Sequence, residues 1–229
     1  ILLFLDADVA LKPEALSRLR EDFMEGEGLL SVQPYHMMQE NYERLSAIFN
    51  IIALAGVNAF TPLQSRIAPA GAFGPCMMCR RTVYFDVGGH SIARHAILES
   101  LPMGHAFVQA GQPVRCFGGK GSLVFRMYSE GWRSMVEGFS KGFALGANAI
   151  SIGIMIMLVC WIFGGVSLTR HLIQAMITGN GTMVMVWLAL DLLYAAQIHW
   201  MLIRIGNFGL RTAIFFQVPL LFFVLVFSL

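Results

Sequence analysis

Charge is what this sequence has least of. Lys, Arg, Asp and Glu make up 13% of its 229 residues, against 56% hydrophobic residues, and the mean hydropathy of +0.64 is too apolar for an ordinary soluble domain. The shortage is uneven. From Ala147 to Leu229 the only such residues are Arg170, Asp191, Arg204 and Arg211, so a soluble front, 1–146, and a membrane-embedded back, 147–229, are expected. The net charge is only +2 and the basic residues form no stripe, which leaves nucleic-acid binding without support. Cysteine is scarce too. Cys76, Cys79, Cys116 and Cys160 make no disulfide framework, because one falls in a membrane stretch and the chain is not a small secreted domain. Cys76-Met-Met-Cys79 has half the spacing of a zinc site, but no second Cys or His pair accompanies it, and buried thiols are expected. An initiating Met is also missing: the chain opens on Ile1, inside a run that reads as a core strand, and is expected to lack the amino-terminal part of a longer protein.

What the chain has instead is long apolar runs. Three stretches, 147–168, 182–203 and 210–229, reach the length of about 20 residues that a helix needs to cross a bilayer. Arg133 and Lys141 precede the first, and Arg204 and Arg211 bracket the link between the second and third, which predicts that the front and this link are cytoplasmic. Asp191 falls near the middle of the second span, where a charge must face other helices. It is expected either to serve a lipid or proton path or to bond a neighbouring helix. Trp161, Trp187 and Trp200 read equally as interface anchors or packing residues.

The front opens with "ILLFLDADVA", five apolar residues running into Asp6 and Asp8. A strand that ends in two acids places negative charge at the carboxyl edge of a sheet, where α/β proteins bind ligands, and a cation is expected there. "LKPEALSRLREDF" then predicts a helix and "GLLSVQPYH" a second strand, hence a sheet with crossover helices. The segment from Met37 to Phe60, strongly apolar after Leu45, reads as an interfacial helix at the membrane or as a core helix. "APAGAFGPCMMCRR" has glycines that permit close approach to a ligand and arginines suited to phosphate or carboxylate. After it come an acid at Glu99, a helix from about Pro102 to Ala110 and a strand through Val114. A further strand ends in Arg126-Met-Tyr128, and a helix with Trp132 leads into the first span.

The order and spacing of "FLDADV", "YERLSAIFN", "GAFGPCMMCRR", "GGH", "AILESLPMGHAFVQAG" and "FRMY" resemble the membrane-bound family-2 glycosyltransferases, and most closely the branch of 4,4'-diaponeurosporenoate and hopanoid-associated glycosyltransferases. The resemblance covers nearly the whole chain. It implies a partial GT-A domain with a mixed sheet followed by three transmembrane helices, and transfer of a sugar, with inversion, from a nucleotide-diphosphate donor to a lipid acceptor. It further implies that Asp6 and Asp8 form a DXD motif holding Mg²⁺ or Mn²⁺, which suits carboxylate oxygens. Arg126 would contact the donor diphosphate, and Gly71, Gly74, Pro75, Cys76, Arg80, Tyr128 and Trp132 would line the acceptor cleft.

One departure stands out. The family carries Glu-Asp where this chain has Glu99-Ser100, and the Asp is the expected general base. A serine hydroxyl is too weak a base without an activating partner. Either Glu99 takes the role, or the protein is inactive, or the acceptor needs no base because it is a carboxylate already ionised at neutral pH. A polysaccharide or polyprenyl-phosphate acceptor remains an alternative, although no Gln-x-x-Arg-Trp motif is present. So does a membrane scaffold or transporter with a degenerate soluble domain.

Overall fold

The computed structural model describes residues 1–59, 61–62, 66, 69–94, 96, 98–146 and 150–228, the side chains of 143–145 excepted. Strand β1 (Leu2–Leu5) pairs antiparallel with β5 (Cys76–Cys79), whose other edge pairs antiparallel with β3 (Leu29–Gln33). β3 in turn runs parallel to β6 (Val114–Gly118). β1 and β3 therefore point the same way, and the helix between them, α1 (Ala15–Met24), is the crossover expected of strand, helix, strand. A smaller sheet has the order β2 (Ala10–Leu11), β7 (Leu123–Phe125), β4 (Tyr35–His36).

Burial explains these positions. α1 turns Ala15, Leu19 and Phe23, four residues apart, onto one face of the sheet, where they meet Leu30, Val32, Cys76 and Met78. The other face carries Leu29, Met77 and Cys79 against Met103 and Phe107 of α4 (Ser100–Gln109). Strand alternation thus sends Cys76 and Cys79 to opposite faces of β5, and they cannot share a metal. Burial pushes their thiols up to about 12 and about 11. Two glycines let α4 approach the segment before β5: a Cβ on Gly104 would lie 2.5 Å from the Gly71 carbonyl carbon, and one on Gly71 would lie 2.5 Å from Leu101 Cδ2.

The apolar segment after Met37 forms a 3₁₀ turn (Tyr42–Ser46) and α2 (Ala47–Gly56), which is buried on nearly every side. α2 packs beneath α6 (Ile152–Ile177), α7 (Gly181–Ile205) and α9 (Gln217–Phe227), so it is a core helix under the spans. Its expected end at Phe60, like the expected start of the first span at 147–149, lies outside the described residues. α5 (Trp132–Gly146) leads towards α6.

α6 and α7 are long and apolar enough to cross a bilayer, and only 17% of the most apolar window of each is buried. Ile152, Phe163 and Ile177 of α6 are 71–80% exposed, a surface that suits hydrocarbon and not water. Cys160 is likewise exposed, unlike the other three cysteines. The third apolar stretch differs from expectation, because it is divided into α8 (Leu210–Ile214) and α9. Pro219 has no N–H for the Phe215 carbonyl, which interrupts the helical ladder there. At eleven residues, α9 is about 16 Å long, roughly half of a bilayer's hydrocarbon thickness. Gln217 at its start donates to both carboxylate oxygens of buried Asp191, at 3.1 and 3.2 Å. A bond to a neighbouring helix is therefore the role the structure gives Asp191. Trp161 is a packing residue, stacked on Tyr194 and bonded to Gln197, whereas Trp200 is exposed under the Arg204 guanidinium.

The link between α7 and α8 is fastened to the front. Gly206 bridges His36, Asn207 donates to the His36 carbonyl at 3.1 Å, and its side chain bonds both polar groups of the Met38 backbone. Arg44 donates to the Phe208 carbonyl at 2.6 Å. His36 itself is fully buried beside Phe125, and burial pushes its imidazole down to about 3, so the joint holds a neutral ring.

Gly104→Val would place its side chain into the backbone of 71–72. It is expected to lower stability by about 1–3 kcal/mol, read as a lower unfolding temperature of the detergent-solubilised protein.

Candidate active site

The acidic turn is positioned by strand pairing. Leu5 lies opposite Cys76, and the next residue, Asp6, donates its N–H to the Pro75 carbonyl at 3.0 Å, while Val9 N–H closes the turn on the Asp6 carbonyl at 3.1 Å. Asp6 and Asp8 are both exposed, and among the described residues neither makes an ion pair. Partial burial, then the charges of Asp8 and Glu99, push the Asp6 carboxyl above the usual range. Asp8 and Glu99 thus lie near enough for their charges to act on Asp6. Glu99 is the residue before α4, with no side-chain bond to the helix end, and Ser100 begins the helix. The Ser100 carbonyl accepts from Ala72 N–H at 3.2 Å, and a Cβ built on Gly74 would sit 3.7 Å from the Ser100 hydroxyl oxygen. Among the described residues the Ser100 hydroxyl has no hydrogen-bond partner that could activate it.

Beside the acidic turn opens an apolar cavity of about 580 Å³. Gly74, Pro75 and Ser100 line it at the cleft, Tyr128 and α5 wall it, and α6 and α9 carry it onward. Its α6 lining runs from Met155 to Val166, roughly 16 Å along the helix. The cavity therefore runs from Pro75, beside the acidic turn, to α6 and α9. Tyr128 adopts φ of 60°, in the left-handed region, and its carbonyl accepts from the Tyr42 hydroxyl at 2.8 Å. Burial pushes its phenol up to about 12, so it stays a neutral donor.

The other expected cleft residues sit elsewhere. Gly71 is buried under α4 as a packing contact. Cys76 faces α1 through the sheet. Arg80 follows the far end of β5, roughly 13 Å along the strand from Cys76, where it pairs with Glu27. Trp132 is 57% exposed at the start of α5, beside the Arg133 guanidinium, and does not line the cavity. For Cys76 and Arg80, strand face and strand direction decided the position.

Arg126 has a partner that the sequence reading missed. Its Nε donates to Glu43 at 2.7 Å, and Glu43, 1% exposed, also accepts the N–H groups of Gln39 and Glu40 at 2.6 and 2.8 Å. Burial works against the charge of Glu43, but the two backbone donors and Arg126 outweigh it and hold the carboxyl below its usual range. An acid leading into an apolar helix was visible in "YERLSAIFN"; its partner 83 residues away was not.

No family model matches the chain. It is 34% identical over 227 residues to the 4,4'-diaponeurosporenoate glycosyltransferase of Staphylococcus aureus (strain USA300), covering 98% of this chain and 60% of the relative. To the protein of the same name in Staphylococcus haemolyticus it is 38% identical over 167 residues, 72% of this chain and 44% of that one. The chain thus spans well under two thirds of the length of these relatives. The resemblance to the 4,4'-diaponeurosporenoate glycosyltransferase branch is borne out by these two relatives.

A depressed carboxylate stabilises the folded state above its unfolded pKa, near 4.5 here, and that contribution is lost as pH falls through the lower folded value. Glu43→Gln is expected to cost about 1–3 kcal/mol at pH 7 and progressively less as the pH falls below about 4.5, read from unfolding midpoints across that range.

Proposed function

We propose that the protein of which this chain is part transfers a sugar from a nucleotide-diphosphate donor to a lipid carboxylate presented from the bilayer. The observation that carries the reading is the junction at Pro75 and Ser100, where the acidic turn meets an apolar cavity leading between the membrane-type helices. The relatives are named for an acceptor whose ending marks a carboxylate, which agrees with this junction.

The acidic turn is read as the donor side. Asp6 and Asp8 supply hard oxygen donors, unpaired among the described residues, and burial, then repulsion from Asp8 and Glu99, raises the Asp6 pKa. Among the described residues no group of three metal-ligating side chains exists. A pair of carboxylates nevertheless fits Mg²⁺ or Mn²⁺, which commonly take one or two carboxylates together with substrate phosphates. Such an ion, when bound, offsets the charge that develops on the departing diphosphate. The free side of the Arg126 guanidinium is assigned to the same diphosphate, with Glu43 orienting it.

Glu99 and Ser100 divide the two functions. Glu99 stands with the aspartates, while Ser100 lines the cavity without an activating partner. An ionised carboxylate entering past Ser100 needs no proton removed. One of its oxygens attacks the anomeric carbon as the bond to the diphosphate oxygen breaks, which inverts the centre and yields a glycosyl ester and a nucleoside diphosphate. Gly74 leaves room for that oxygen beside Pro75.

The cytoplasmic side is assigned to the front. The α7–α8 link is bonded to His36 and Met38, in keeping with Arg204 and Arg211 at its ends and with Arg133 and Lys141 before α6. α6 and α7 would then cross the inner membrane as a pair.

Asp8→Ala is expected to reduce metal-dependent nucleotide-sugar hydrolysis by at least about 100-fold. Transfer to a long-chain carboxylate should exceed transfer to the matching alcohol, and Ser100→Asp should raise the alcohol rate. Faster wild-type transfer to the alcohol contradicts the carboxylate reading; hydrolysis indifferent to Asp8 contradicts the enzyme.

A further inference from the structure

We propose that Gly142 sets the width of the passage that admits the acceptor's chain, leaving room for a methyl-branched chain that a side chain there would stop. The inference rests on the reading of the cavity as the acceptor site. Gly138, Gly142 and Gly146 lie four residues apart on α5, share one face, and all line the cavity. The outer two are covered by protein. A Cβ on Gly138 would lie 2.5 Å from the Tyr128 hydroxyl oxygen, and one on Gly146 would lie 3.8 Å from Leu98 Cδ1. A Cβ on Gly142 would meet no other atom of the described residues within 4 Å.

Packing therefore demands glycine at 138, but not at 142. Helix formation does not demand it either, since glycine is the least favourable residue after proline in a helix interior. What remains at position 142 is the space in front of it, which belongs to the cavity between the cleft residues Leu98 and Tyr128. A side chain there narrows the route by which an apolar chain reaches Ser100. A methyl-branched chain is wider than a straight one and is excluded first.

The test is binding, read without sugar transfer. The full-length protein in nanodiscs is loaded with a polarity-sensitive fluorescent fatty acid, which is then displaced by palmitic acid, a straight chain, or phytanic acid, its methyl-branched counterpart. Gly142→Ala should weaken phytanic acid three- to fivefold more than palmitic acid, and Gly142→Leu should weaken both at least tenfold. Gly164→Leu, on α6 outside the cavity and also without a neighbour within 4 Å of its Cβ position, should change neither. Wild-type protein that binds neither acid, or an unchanged branched-to-straight ratio in Gly142→Ala, overturns the proposal. The Ala variant decides alone if the Leu variant does not fold. Failure of wild-type protein to transfer sugar, with these binding shifts intact, would instead refute the proposed reaction.

Discussion

The pairing of β1 with β5 is the constraint on which the site depends. By setting Leu5 opposite Cys76 it brings Asp6 N–H to the Pro75 carbonyl, and so places a turn with two carboxylates against the stretch before β5 that lines the cavity. A slip of one residue would turn every side chain of β1 to the other face of the sheet and carry the acids away from Pro75. The register is held by packing on both faces, with Leu3 beside Cys76 and Met78 on the α1 side, and Leu2 and Phe4 beside Met77 and Cys79 on the α4 side. Ser31 of β3 fastens the segment before β5 by exchanging hydrogen bonds with both polar groups of the Phe73 backbone, at 3.1 and 2.6 Å.

The membrane-type helices are joined to this sheet by a few specific contacts. α2, buried throughout, is shared between the two parts: Phe49 stacks on Phe139 of α5 at 4.2 Å and meets Phe223 of α9 edge-on. Glu43 ties the start of α2 to Arg126, and Asn207 ties the α7–α8 link to β4. The front and the helices thus form one frame around the cavity. Such a frame suits chemistry between a water-soluble partner and an apolar one.

What could be read from the sequence was what is local. The acidic turn shows as an apolar run meeting Asp6-Ala-Asp8, the α1 crossover as spaced apolar residues after Pro13, and α6 and α7 as long runs without charge. Gly74, Pro75, Ser100 and Tyr128, each within a legible motif, line the cavity. Cys76 and Arg80 belong to the same motif and still lie elsewhere, since strand alternation turns one to the opposite face and strand length carries the other to the far end. Gly71 and Gly104 look like ligand-approach glycines but serve the contact of α4 with the backbone before β5. Pairings such as Glu43 with Arg126 and Asp191 with Gln217 depend on the tertiary fold and leave no periodic trace. The break between α8 and α9 had a visible cause in Pro219, yet apolar proline-containing runs do form single spans, and the bond of Gln217 to Asp191 that accompanies the break leaves no trace in the sequence.

The central claim is that the acidic turn and the apolar cavity are the two ends of one site. An experimental structure of the full-length protein with Mn²⁺, a nucleoside diphosphate and a long-chain carboxylate tests it most directly, since the anomalous signal of manganese marks the metal unambiguously. The account expects manganese on Asp6 and Asp8, with the acceptor's carboxylate beside Ser100 and its chain running between α5 and α6. Manganese bound elsewhere, or the chain lying outside the cavity, would contradict it.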